Sequence, residues 1–312
     1  MSNGVKQCVY HVSGYDGSFM AYIGQRKSVC RFCGKSIPNV KFKKKAHALS
    51  ESIGTKYIIN NEECDSCNEA FSYIEQDFYN RHAALLSLYN VKGKNGSRKI
   101  KTETVDIFDQ YGIITIEPHK ADNVPFKEIT KGKSSFDFSL VMKYNPHKPQ
   151  NVYKCLVKYA LSIIESQYVP KFANTISWIT NEKLFVNRLP NVIHYSTTFH
   201  SHPRAAVFTR KDDNLKFPYA FAIVEFANIG YCFILPFGNN EPITESSYNS
   251  LIAAFLQLSN GANFYPLNLS NPNKIISKVN FTIDNLDKGT AISLPYPVTP
   301  EVIQELKEKN II

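Results

Sequence analysis

The chain has 312 residues, 43% hydrophobic and 20% charged, proportions that exclude global disorder and leave room for one large domain or two ordinary ones. Its net charge of +9 is unevenly spread: residues 1–101 hold 16 lysines and arginines against 8 acidic residues, and residues 102–312 hold 20 against 19. A basic surplus in the first third points either to a polyanion such as nucleic acid, whose phosphates release counterions on neutralisation, or to a solvated basic surface.

The opening residues lack the apolar stretch of a signal peptide. Lys41–Ala46 reads as a short strand and Lys56–Asn60 as a second. From Asp65 to Tyr89, Phe71, Ile74, Phe78, Ala83, Leu85 and Leu86 follow the spacing of one buried helical face. Two strands followed by a helix make a small ββα unit. The stretch 90–99, rich in Gly, Lys and Asn, reads as a domain seam. Its Lys92, Lys94, Arg98 and Lys99 could touch phosphates or simply connect.

Val152–Ser166 has the pattern of an amphipathic helix, with Lys154 and Lys158 outside its apolar face. Residues 192–237 alternate like strands. The apolar run Tyr219–Phe237 nears the length of a membrane span, but Glu225, Asn228 and Gly230 at its middle favour a buried hairpin turning at Asn228–Gly230. Thr244–Leu258 and Pro300–Lys309 read as helices. The expected fold class is therefore α+β. An N-terminal segment (1–27) precedes a small ββα domain (28–91), a basic linker (92–101) and a larger mixed domain (102–312). The larger domain suits regulation or target recognition, through a ligand, a protein partner or a second copy in a homodimer. The whole is expected in the cytoplasm, with no membrane association.

Four of the seven cysteines form two pairs, Cys30-x-x-Cys33 and Cys64-x-x-Cys67. Two thiolates two residues apart grip one tetrahedral ion from a single knuckle, and two knuckles complete four-sulfur coordination. In a cytosolic setting this spacing points to structural zinc. Cys8, Cys155 and Cys232 read as buried bystanders. His200-x-His202, without a nearby acidic residue, reads as structural.

The residues between and beside the knuckles carry a second pattern: Ala46-His47 at the end of the first strand, Asn60-Asn61 before the second knuckle, and Asn68 directly after Cys67. Together with the four cysteines they resemble the zinc-stapled HNH endonucleases over roughly residues 28–80. The resemblance implies a metal-dependent DNA endonuclease, with restriction or phage defence as its setting. His47 would be the general base, with Asn60 or Asn61 orienting its imidazole. Asn68 would hold Mg2+ or another divalent ion. Where the family often carries an acidic ligand this chain has Ala46, so Glu51 is expected to supply the missing oxygen. Lys41, Lys43, Lys44 and Lys45 would meet DNA phosphates. The alternative is a zinc-stapled DNA-binding domain that has lost catalysis. His82, 14 residues beyond Asn68 on the predicted helix, lies too far along it to join the site and is expected to face solvent or the neighbouring domain.

Overall fold

The computed structural model describes residues 10–25, 29–89, 91–93, 99–101, 105–110, 113–120, 135–143, 145–211, 217–242, 245–258, 264–275 and 278–287. In chain order the elements are β1 (Tyr10–Asp16), β2 (Ala21–Ile23), β3 (Ile58–Asn60), α1 (Asp65–Ala70), α2 (Ser72–Leu88), β4 (Lys99–Lys101), β5 (Val105–Gln110), β6 (Ile113–Pro118), β7 (Ser135–Lys143), α3 (Pro149–Ile163), α4 (Ala173–Thr180), β8 (Val192–Arg210), β9 (Ala220–Ile234), α5 (Glu245–Leu258), β10 (Phe264–Leu267) and β11 (Lys278–Asp287). The class is mixed α+β, with the four-cysteine region ahead of an antiparallel sheet.

The chain divides into two compact units, each discontinuous in sequence. Met1–Tyr79 joins His147–Lys274, and Asn80–Pro146 joins Ile275–Ile312. These cuts differ from the sequence-based division near residues 91 and 102. The cysteine knuckles and the sheet share one unit, and the boundary falls inside α2.

In the first unit β8 is the centre of an antiparallel sheet. β9 pairs along it, while β1 pairs with its C-terminal half and β10 with its start. Successive strand residues face opposite sides, and β9 buries both. Cys232 and Ile234 join Ile193, Tyr195 and Phe221 in a cluster with Leu251 and Phe255 of α5. Phe233 instead meets Tyr153 of α3, and Phe226 meets Phe78 of α2. Two-sided burial explains the near-continuous apolar run at 219–237. The expected hairpin at Asn228–Gly230 does not form: β9 continues through it, with Ala227 at φ 50° and the β8 register broken around His200. No helix among the described residues is long and apolar enough to cross a membrane.

Helix α3 lies where the sequence places it, but all fifteen of its residues are buried. Lys154 and Lys158, expected on a solvated face, are both inside. Lys154 Nζ donates to the carbonyls of Asn181 and Leu184, each at 2.8 Å. Backbone acceptors thus replace the water that this face would otherwise meet.

The second unit contains an antiparallel meander, β4-β5-β6, and an antiparallel pair, β7 with β11. Lys99 is engaged there by Glu117 at 3.3 Å and by the face of Phe108. His82, expected toward solvent or a neighbouring domain, is buried. Residues 94–98, Cys8 and the predicted helix at 300–309 lie outside the described residues.

Gly230 sits directly opposite Tyr195 on β8, and a Cβ there would overlap the tyrosine ring. The Tyr195 hydroxyl donates to Glu225 at 2.7 Å. Gly230→Ala must displace that ring and break the bond, so urea unfolding is expected to show a loss of about 1–3 kcal/mol.

Candidate active site and zinc centre

The first knuckle is a tight loop in which Cys30 N–H bonds Lys35 O and Gly34 N–H bonds Cys30 O. The second knuckle opens α1, whose N-cap is Cys64. Their sulfurs all lie within 4.8 Å of one another, and Cys33 Sγ is 3.8 Å from Cys64 Sγ. A zinc ion bound at about 2.3 Å by four sulfurs has ligands about 3.8 Å apart, so the cluster fits such an ion. The chemistry also fits. The Cys67 thiol hydrogen-bonds to Cys30, and, against burial, the N–H of Cys64 at 3.4 Å helps to pull Cys30 down to about 4. A thiolate is therefore available at neutral pH.

Between the knuckles, Lys41–Ala46 forms no strand, contrary to the sequence expectation. Asp65 at the start of α1 takes the backbone amides of both Lys43 and Lys44 at 2.9 Å, and its own N–H donates to Lys41 O. The segment's backbone is committed to the helix start, and ladder pairing is reduced to a single bridge, His47 with Ile59. That bridge is flanked by Asn60 N–H to Ala46 O and Ala48 N–H to Ile58 O. The predicted helix at 65–89 is also split: Phe71 closes α1 by donating to Cys67 O, and α2 starts at Ser72.

His47 is half-buried, and its Nε2 lies 3.3 Å from Glu51 Oε1. Glu51 opens a single 3-10 turn whose cap is Ser50 and whose end is Gly54, at φ 104°. The structure thus joins the candidate base to the carboxylate picked as a metal ligand. Burial lowers the His47 pKa first. Glu51 and Glu75 oppose that, Lys158 and Lys45 reinforce it, and the net shift is downward. The imidazole is neutral at pH 7, the state a general base needs.

The two asparagines are engaged elsewhere. Asn60 is buried, donates to Glu63 Oε2 at 3.3 Å and accepts from the Glu62 N–H. Asn61 donates to Gly24 O at 3.4 Å. Among the described residues, neither side chain hydrogen-bonds to the His47 ring. Asn68, half-buried on α1, has its N–H on Cys64 O, and its side chain makes no hydrogen bond among the described residues. Lys43, Lys44 and Lys45 are exposed and line a cavity of about 450 Å3, while Lys41 is exposed outside it. Lys44 also pairs with Glu69 at 3.2 Å, a solvent-exposed ion pair worth little by itself.

Several residues that hold this arrangement together carry no motif. Lys158 of α3, fully buried, donates to the His47 carbonyl at 2.9 Å and to Glu75 Oε1 at 3.1 Å, and lies 3.6 Å from Glu63 Oε2. Burial works against its charge, but the two carboxylates prevail and its pKa is raised. Burial pushes Glu63 up to about 7 against the pull of Lys158. The ammonium therefore stays charged, with Glu75 as its firmest counter-ion. Glu75 is thereby linked to the His47 backbone through this lysine.

A second cation points the other way. Arg31 of the first knuckle donates to the carbonyls of Leu161, Ser162 and Ile164 at the end of α3 and pairs with Glu62 at 2.7 Å. A cation there complements the carbonyl end of the helix. Only position in the fold marks these residues; the one sequence signal was a lysine inside an otherwise apolar helix.

Removing the Lys158 charge strands two carboxylates in the interior. Lys158→Met is expected to cost about 3–5 kcal/mol in denaturant unfolding, and adding Glu63→Gln and Glu75→Gln should return part of it.

Residues 30–82 match the family model of the HNH endonucleases. No curated protein and no solved structure matches the chain. The matched span begins at the first knuckle and contains His47, the second knuckle and Asn68. The chain therefore carries an HNH endonuclease domain at residues 30–82, with the four-cysteine cluster inside it.

Proposed function

We propose that the chain is a metal-dependent DNA endonuclease that hydrolyses phosphodiester bonds with His47 as general base. The observation that carries this reading is a neutral, half-exposed imidazole held against Glu51 within the HNH domain. A proton carried on Nε2, which lies 3.3 Å from Glu51 Oε1, would leave the lone pair on Nδ1 to take the proton of an attacking water. Zinc at Cys30, Cys33, Cys64 and Cys67 is structural. It fixes the start of α1, and hence Asn68.

Asn68 and Glu51 would hold the catalytic divalent ion. Asn68 Oδ1 and Glu51 Oε2 form no hydrogen bond among the described residues, and oxygen donors suit a hard cation such as Mg2+. When bound, that ion supplies positive charge against the charge growing on the phosphate and leaving oxygen. Lys41, Lys43, Lys44 and Lys45 contribute attraction to the DNA backbone. We place the protein in the cytoplasm, in restriction or phage defence. Residues beyond the HNH domain would choose the target, through a ligand, a protein partner or a second copy.

A non-catalytic, zinc-stapled DNA-binding protein is the second reading, favoured by Ala46, which offers no oxygen to a metal. Cleavage of supercoiled plasmid separates the two. The wild type with Mg2+, Mn2+ or Ni2+ should nick or linearise the plasmid. His47→Ala with intact zinc content should be slower by about 100-fold or more. DNA binding without cleavage under every metal would favour the second reading. Equal cutting by the variant would remove His47 from the mechanism.

The pH profile is a further test. His47 works unprotonated and its pKa is lowered, so its active form is complete at pH 7. That form is lost only as pH falls through the lowered value. The acid limb of kcat/KM should lie below the ordinary histidine value of about 6.5; a limb above it would contradict the assignment.

A further inference from the structure

The cavity beside the lysine run is more than a charged surface. Three lysines stand on its rim. Tyr22, 64% exposed on β2, and Phe42, half-buried, supply aromatic faces. Ala46, Ile59 and Asn60, all buried, line it together with the buried carboxyl of Glu63, and Asn61 adds a side-chain oxygen that accepts no hydrogen bond among the described residues. Its volume of about 450 Å3 falls in the range of roughly 300–1,000 Å3 usual for small-ligand pockets. Asp65 holds the backbone of Lys43 and Lys44, which fixes where their side chains leave the chain.

We propose that this cavity takes one unstacked nucleotide of a DNA strand, its base against Tyr22 and Phe42 and its phosphate among Lys43, Lys44 and Lys45. Backbone binding alone would need the lysines but not the rings. Bases stack on aromatic faces with little regard to sequence, and the Asn61 oxygen can accept from a base N–H. The proposal deepens the nuclease reading and rests on it for the identity of the polyanion. It names an unpaired or opened strand as the form of DNA that the HNH domain prefers.

The test is a binding titration of zinc-loaded full-length protein, without added catalytic ion, against a fluorescein-labelled 12-nucleotide oligothymidylate and against its duplex with oligodeoxyadenylate. Both aromatic positions have exposed surface, and Tyr22→Ala leaves β2 pairing intact. Tyr22→Ala should weaken single-strand binding about tenfold, as loss of one stacked base implies. The slope of log affinity against log salt should not change, because a neutral ring is removed. Duplex binding should move less than about twofold. Lys43→Ala with Lys45→Ala should instead flatten the salt slope by roughly 0.7 for each phosphate that the variant no longer neutralises.

If Tyr22→Ala and Phe42→Ala both bind the single strand as the wild type does, the cavity holds no base and the proposal fails. It also fails if every variant weakens duplex and single strand alike. The readout is binding, so a protein that binds in this Tyr22-dependent way yet never cuts plasmid would overturn the nuclease reading and not the pocket. A protein that cuts plasmid without any dependence of binding on Tyr22 would do the reverse.

Discussion

A single ammonium group sets what the rest of the site can be. Lys158 arrives from a helix outside the matched HNH span and, with no access to water, donates to the carbonyl of His47 and to Glu75. A charge so placed is tolerated only where its donors are met and a counter-charge is close. The site must therefore keep Glu63 and Glu75 on one side and the His47 backbone on the other. His47 is held through its main chain by this lysine, and its ring lies 3.3 Å from Glu51. Arg31 runs in the opposite direction, from the first knuckle to the carbonyl end of α3. Two reciprocal cations thus tie a zinc hairpin to a helix that is itself packed beneath the sheet. The HNH domain behaves as one face of a larger core and not as a bead on a string.

The electrostatics of this arrangement divide into an outer and an inner part. The lysines at 41 and 43–45 are exposed, where salt screens them. Buried Lys158 is shielded from that screening and acts on the imidazole: after burial itself, it is one of the positive charges that depress the His47 pKa. The same net sign therefore does two things at two depths. Outside it is open to solvent ions, and inside it helps to lower the His47 pKa.

What was legible in the sequence follows from how local each signal is. The four cysteines could be read because metal chelation fixes their spacing, and the cluster closes as expected. Helix α3 was legible from its period. Its two lysines were misread because periodicity describes which residues share a face, not whether water reaches the other face. The strand expected at 41–46 failed for a comparable reason: its alternation was read without Asp65, whose carboxylate claims two of its amides from 21 and 22 residues away. The supposed turn at Asn228–Gly230 was a place where Gly is needed for the closeness of Tyr195, not for chain reversal. Arg31, Glu62, Glu63 and Lys158 were not legible as a set, because only the tertiary fold brings them together.

The separation of 111 residues between Lys158 and the carbonyl it holds has a bearing on biosynthesis. A ribosome delivers both knuckles and the histidine well before it delivers α3. Until then Glu63 and Glu75 lack their cation, and the last carbonyls of α3 are not yet there for Arg31 to cap. A nascent or prematurely terminated chain can carry every motif residue of the HNH domain and still lack the support that shapes them. Translation order thus postpones the finished arrangement until α3 has been made.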